Sequence, residues 1–414
     1  MNRRTLLSGS VAIAADSLFS IAAPNVARAS EARWTIAIPV ADFAKGDGKP
    51  AGEALQAALD AAFETGLPLV FPRGEWLVDR PLSIRHVERR RRGAPRLVGA
   101  GIGSTILRSS GFAEPLMSVL AGPLERPAGV YFLYGGGIEE IELVGAGPAA
   151  GAAQTCLEVR GWWYGALRNC LFQGFGAHGL RAVPNDIDPN PDWSASILRL
   201  QGCTFERIGG WGYLDDNPIG APAWAFDRCI FNRCGAGGAF VRSSGVEFTG
   251  CSFAAAGFVE NGVSSPAPKA VGLQIGDPAG STINRTRISV AEFDANRDVH
   301  IVLDRSSSCL IEDARFIHLD RNRAGRITPP LAVELGTGAR RSRLQNIRIV
   351  RPLVRIDQEG TVTGYRLAAP EGASDIVIDE ESLQYNPAHK GEFTRTQGFP
   401  DADAMARAGI HVGR

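Results

Sequence analysis

Asn169-Cys170-Leu171-Phe172, Gly202-Cys203-Thr204-Phe205, Arg228-Cys229-Ile230-Phe231 and Gly250-Cys251-Ser252-Phe253 are four statements of one short phrase. The cysteines stand 33, 26 and 22 residues apart, so the repeating unit has a short minimum length and accepts insertions. Cys and Phe are two residues apart, which on an extended strand puts both on one face while the residue between them points away. Stacked units would place sulfur over sulfur and ring over ring. That is the pattern of a solenoid in which each coil gives short strands to sheets running along the molecule and insertions leave at a coil corner. The expected fold is all-β, a right-handed parallel β-helix.

A second phrase supports the same reading. About seven residues after most of these phenylalanines, a glycine opens an apolar strand: Gly179-Leu180-Arg181, Gly212-Tyr213-Leu214 and Gly238-Ala239-Phe240-Val241. Cys156-Leu157-Glu158-Val159 extends the series upstream, and Gly272-Leu273-Gln274-Ile275 and His300-Ile301-Val302-Leu303 extend it downstream. Ala291-Glu292-Phe293 and Ala314-Arg315-Phe316 keep the spacing without the cysteine. A β-sandwich with an irregular meander is the competing architecture, and it has no reason to repeat identical residues in register.

The ends and the composition bound the rest. Asn2-Arg3-Arg4-Thr5-Leu6-Leu7 precedes a weakly apolar run, and Ala27-Arg28-Ala29 supplies the small residues of a cleavage site. Residues 1–29 therefore read as an export signal of the twin-arginine type, a Sec signal being the alternative, with the mature chain starting near Ser30 in the periplasm or outside the cell. No stretch reads as a membrane span. The chain has 44 basic and 44 acidic residues, which leaves no net field to gather nucleic acid or an acidic membrane. The seven cysteines, four of them at equivalent repeat positions, are expected as buried free thiols rather than disulfides or a metal site. Residues 30–384 form one β-helix on this reading, and residues 385–414 a polar tail or cap with a short helix near Asp401.

Toward the amino terminus, Asp42-Phe43 and Gly46-Asp47-Gly48 precede Glu53-Ala54-Leu55-Gln56-Ala57-Ala58-Leu59, whose apolar residues recur at helical spacing. A helix there would cap the open end of the tube. Val70-Phe71-Pro72-Arg73-Gly74-Glu75-Trp76 follows, then Gly99-Ala100-Gly101-Ile102-Gly103-Ser104-Thr105-Ile106-Leu107. This order of motifs, over residues 38–108, resembles the pectate lyase superfamily, the rhamnogalacturonase and epimerase-like right-handed β-helix domain. The family usually carries a Thr-Asp pair where Pro50-Ala51 stands here, a departure that bears on the helix cap. The resemblance implies a carbohydrate-active β-helix without naming the reaction, since the family includes lyases, glycoside hydrolases, epimerases and depolymerases.

Function on such a scaffold sits on the insertions. Residues 184–193 bring Asp186, Asp188, Asp192 and Trp193, and residues 215–224 bring Asp215, Asp216 and Trp224; if the register holds, these loops stack side by side. Tryptophan faces stack on sugar rings, and paired carboxylates can act as general acid and base. Asp215 and Asp216 are accordingly candidate catalytic residues, with His178 and Arg181 beside them as candidate bases. Trp163, Trp193, Trp211 and Trp224, together with Asp186, Asp188 and Asp192, are candidate substrate contacts. Ala177-His178-Gly179 is similar to the Gly-His-Gly of polygalacturonases, although the order relative to the paired aspartates is reversed. Solvated turns, a structural corner histidine and a Glu158–Arg181 ion pair are the plain alternatives. The expected partner is a polysaccharide or oligosaccharide, cleaved by a lyase or a hydrolase; Ca2+ enters only on the lyase reading, and no other cofactor or metal is expected. A non-catalytic polysaccharide-binding or surface-structural β-helix and a uronate epimerase stay open as alternatives, as does a homotrimeric assembly.

Overall fold

The structure, a computed structural model, describes residues 37–86, 91–121, 132–147, 153–183, 197–216, 223–260, 263–277, 282–319, 331–336, 344–357, 360–368, 370–379, 381–385 and 391–413. The segment read as an export signal and Asp186, Asp188, Asp192 and Trp193 lie outside the described residues. Among the described residues, strands gather into three long sheets of thirteen, twelve and eleven, each stacked in chain order and each purely parallel. Between the two ends each coil visits the thirteen-, then the twelve-, then the eleven-stranded sheet, which is the right-handed parallel β-helix expected from the repeat.

The register is the one that the phrase implies. Leu171 pairs with Thr204, Thr204 with Ile230 and Ile230 with Ser252, so the four cysteines and four phenylalanines stand above one another inside the tube. The rings of Phe172, Phe205, Phe231, Phe253 and Phe293 are nearly parallel at centroid spacings of 4.7–4.9 Å, the rise of one coil. All seven cysteines are free and buried. Each thiol of the ladder has carbonyls to donate to, as from Cys170 to Ile138 O at 3.3 Å and from Cys251 to Phe226 O at 3.3 Å. Burial pushes the thiols of Cys156 and Cys170 well above their ordinary range, and at Cys229 the neighbouring thiols of Cys203 and Cys251 do so ahead of burial, so they behave as small apolar groups.

The turn from the thirteen- to the twelve-stranded sheet is a single residue in the left-handed region. Glu140, Asn169, Gly202, Arg228, Gly250, Val290, Asp313 and Arg351 occupy it on successive coils with φ of 48–61°. Each amide there donates to the carbonyl that ends the next strand of the sheet, as Asn169 N does to Gln201 O and Val290 N to Glu312 O. The corner thus stays hydrogen-bonded whatever the side chain.

Helix α1, Gly52–Thr65, lays Leu55, Ala58, Leu59 and Ala62 on the open end of the tube, as expected. Its N-cap, Ala51, has no capping side chain; Asp79 accepts instead from Gly52 N at 2.9 Å, from 27 residues away. Arg92, the last of the four consecutive arginines from Arg89, is tied to this cap. Arg92 lies 4.0 Å from the centre of the Phe63 ring and donates to Phe63 O at 2.8 Å. At the other end, the segment read as an irregular tail continues the coil. Gly391–Gln397 adds a strand to the eleven-stranded sheet, α2 (Ala402–Arg407) follows with Asp401 as its cap, and His411–Val412 ends the thirteen-stranded sheet. The polar look of this segment reflects a last coil with one side in solvent.

Candidate functional site

On each coil the central residue of the eleven-stranded sheet's strand points outward, and parallel pairing lines these residues up. Glu158 pairs with Arg181, Arg181 with Leu214, and Leu214 with Phe240. The corner residues that follow, Asp216, Arg242 and Asp277, reach back over this face. The result is a row of alternating charge. Arg181 Nη1 lies 3.5 Å from Glu158 Oε2, and its Nη2 lies 2.5 Å from Asp216 Oδ2. Arg242 bridges Asp216 Oδ1 at 3.4 Å and Asp277 Oδ2 at 2.7 Å. All five side chains are a fifth to a third exposed, so they are screened less than surface pairs yet remain open to a ligand.

Asp215 and Asp216, expected as one pair of carboxylates, are parted by the alternation of the strand. Asp216 faces out between two guanidinium groups. Asp215 is fully buried; it accepts from Arg242 N at 3.1 Å and from the Ser243 hydroxyl, itself buried. Asp215 therefore shapes the corner that presents Arg242 and does not face solvent as a catalytic carboxylate.

His178 ends the turn before Leu180–Ala182, and its Nδ1 accepts from Trp211 N at 3.2 Å. Burial, then the charge of Arg181, pulls its pKa down to about 4, with Asp216 opposing. At neutral pH the ring is neutral, its acceptor nitrogen is engaged and Nε2 carries the proton, so it faces its surroundings as a donor rather than a base. Arg181, the other candidate base, is held at both ends by carboxylates.

The tryptophans separate in the same way. Trp224 is 1 % exposed and packs on Tyr213 and Phe226, at centroid distances of 4.8 and 6.1 Å; it is a core residue, not a sugar-facing ring. Trp211 stays on the outer face, 5.4 Å from Phe240, and Phe240 in turn lies under the Arg242 guanidinium. Gly237 makes this possible, since a Cβ there would stand 2.1 Å from the Trp211 ring. Beyond it Val271, Val299, Val302 and Leu331 form a separate outer apolar cluster against which Trp211 packs. Trp163 stands at the corner with the thirteen-stranded sheet, in contact with Tyr134 and Tyr164.

Sequence reading missed Phe240, Arg242 and Asp277. Aligning the coils on the glycine-led phrase places Arg242 beside Asp216, and that alignment was the available signal. Among the described residues, no three His, Cys, Asp or Glu side chains gather as metal ligands, and no helix is long and apolar enough to cross a membrane. The row's carboxylates face arginines instead of converging on a cation.

No family model matches the sequence, and no curated protein matches it. Among the solved structures that share the architecture are two viral proteins. The tailspike protein of E. coli bacteriophage HK620 is 11 % identical over 91 % of this chain and 67 % of its own, with a TM-score of 0.57. ORF18 of Geobacillus virus E2 is 16 % identical over 87 % of this chain, with a TM-score of 0.54; this chain spans 62 % of its length. At such identities the likeness is one of fold.

Proposed function

We propose that this chain, whose fold is the pectate-lyase-like right-handed parallel β-helix, works outside the cytoplasm and binds a polysaccharide along the outer face of its eleven-stranded sheet. The observation that carries the reading is the unbroken row Glu158–Arg181–Asp216–Arg242–Asp277 beside the Trp211 and Phe240 rings. Sugar hydroxyls both donate and accept, so alternating carboxylates and guanidinium groups can each take one, in charge-assisted bonds. The neighbouring rings offer apolar faces to the C–H side of a pyranose. Mutual pairing holds the charged groups in place before a ligand arrives, which lowers the ordering cost of binding. Recognition is favoured over cleavage by the Asp215–Asp216 pair because one carboxylate is sealed in the core and the other is ion-paired to two arginines, so the two do not face one reacting bond as an acid and a base.

Binding and cleavage are tested together on the purified protein with alginate, polygalacturonate, dextran and laminarin, with and without Ca2+. Binding is read by titration calorimetry; cleavage is read by reducing ends and by the absorbance of unsaturated sugars. At least one polymer is expected to bind, and Arg242→Ala is expected to weaken it about tenfold, the loss of about one charge-assisted contact. Binding unchanged in that variant would overturn the reading. Cleavage that Asp216→Asn abolishes would replace recognition by catalysis as the work of the row.

A further inference from the structure

Tyr134, Trp163 and Tyr164 form a second aromatic group away from the Trp211–Phe240 pair. Their centroids are 6.0–6.4 Å apart in all three pairs, and Tyr134 and Tyr164 are stacked at 21°. Tyr164 is 55 % exposed, the most exposed large aromatic among the described residues. The group does not belong to any of the three long sheets. It stands on a small parallel sheet of its own, Arg91–Gly93, Phe132–Tyr134 and Trp162–Trp163, added at the corner where the eleven-stranded sheet hands over to the thirteen-stranded one. Trp162 anchors it from below, buried, with its indole N–H donating to Gly135 O at 2.7 Å. Gly165 leaves room for that indole, since a Cβ there would lie 2.2 Å from it.

We propose that these three rings are a carbohydrate subsite, taking a pyranose unit of a chain that runs off the amino-terminal end of the charged row. The proposal rests on the reading of that row as a polysaccharide site. Trp163 lies three residues beyond the end of strand Leu157–Arg160, which carries Glu158, the first charge of the row. A sugar ring matches the group in size and in character: an apolar face for the rings, with two phenol hydroxyls at the edge for its hydroxyls. A protein partner matches it poorly. In sequence the rings are followed by Gly135, Gly136 and Gly165, so among the described residues the exposed aromatic surface here is three side chains, far below the ~1,000 Å2 of a specific protein interface.

The test uses the full chain and whichever of the four polymers binds best. The double variant Trp163→Ala/Tyr164→Ala is expected to bind that polymer at least fivefold more weakly with an unchanged Tm, and Trp163→Phe, which keeps a ring, to recover most of the loss. Wild-type affinity in the double variant would overturn the subsite while leaving the row intact. Loss in the double variant with wild-type affinity in Arg242→Ala would overturn the row and leave the rings as the binding site. Unchanged sugar binding with a change of mass by light scattering would assign the rings to a second copy of the chain and overturn the proposal. No binding of any polymer by the wild type would overturn both readings.

Discussion

Val290 sits in the left-handed region at φ +54° with 64 % of its surface exposed. A β-branched side chain is the least suited to that conformation, and on this corner it gains nothing from burial. Two of the equivalent positions, Gly202 and Gly250, already carry the residue that the backbone prefers. Val290→Gly is therefore expected to stabilise the protein by about 0.5–1 kcal/mol, the strain relieved less the entropy that glycine adds to the unfolded chain. A urea titration decides it, and a lower midpoint for the variant would mean that the corner carries no strain. Trp224 gives the opposite case. Its indole fills the core between Tyr213 and Phe226, so Trp224→Ala is expected to cost about 3–5 kcal/mol. A sugar-facing tryptophan would cost far less, and the same titration separates the two.

At the scale of the strand, the phenylalanine stack acts as one object. Phe231 has a parallel phenylalanine ring 4.9 Å away on each side, whereas Phe316 has Phe293 at 5.4 Å on one side and Val354 on the other. Phe231→Ala should cost about 3–5 kcal/mol, and more than Phe316→Ala, because it removes two face-to-face phenylalanine contacts rather than one. Equal losses would show that the rings act singly. The fold was legible in the sequence for the same reason: a parallel in-register stack prints each rung as a repeated phrase. The site was legible only in part. Arg181, Asp216 and Trp211 fall on the outer face. Asp215 and Trp224 were misread because both border a loop, and proximity to a loop says nothing of which way a side chain turns. The period of two did contain the answer for Asp215, since neighbours on a strand point to opposite sides. Phe240, Arg242 and Asp277 were hidden because their roles come from pairing across coils, which the variable insertions between coils obscure.

For the whole molecule, buried histidines set the response to acid. His300 and His318 lie in the core with their rings 4.6 Å apart, and Asn296 fixes the first by a 2.9 Å contact to its Nδ1. Burial lowers both, His318 to about 3, and His178 stands at about 4. The folded pKa values lie below the ordinary 6.5, so the unfolded chain binds protons first as pH falls. Stability is then full above about pH 6.5 and declines toward pH 4, by up to about 1.4 kcal/mol per pH unit for each histidine. Urea titrations between pH 7 and pH 4.5 should show this slope, and His318→Phe should reduce it; the same slope in the variant would mean that His318 does not contribute to acid sensitivity.

The thiol ladder sets an order of events in time. Inside the finished tube no oxidant reaches Cys170, Cys203, Cys229 or Cys251, but on an unfolded chain all four are open and chemically alike. A disulfide formed at that stage between cysteines of non-adjacent rungs, such as Cys170 and Cys251, would tie together coils that are not neighbours in the stack, and the stack could not close around it. Completing the coils under reducing conditions avoids that trap. Refolding from denaturant should accordingly succeed with reductant present and fail progressively as reductant is withdrawn, while the folded protein survives oxidant untouched.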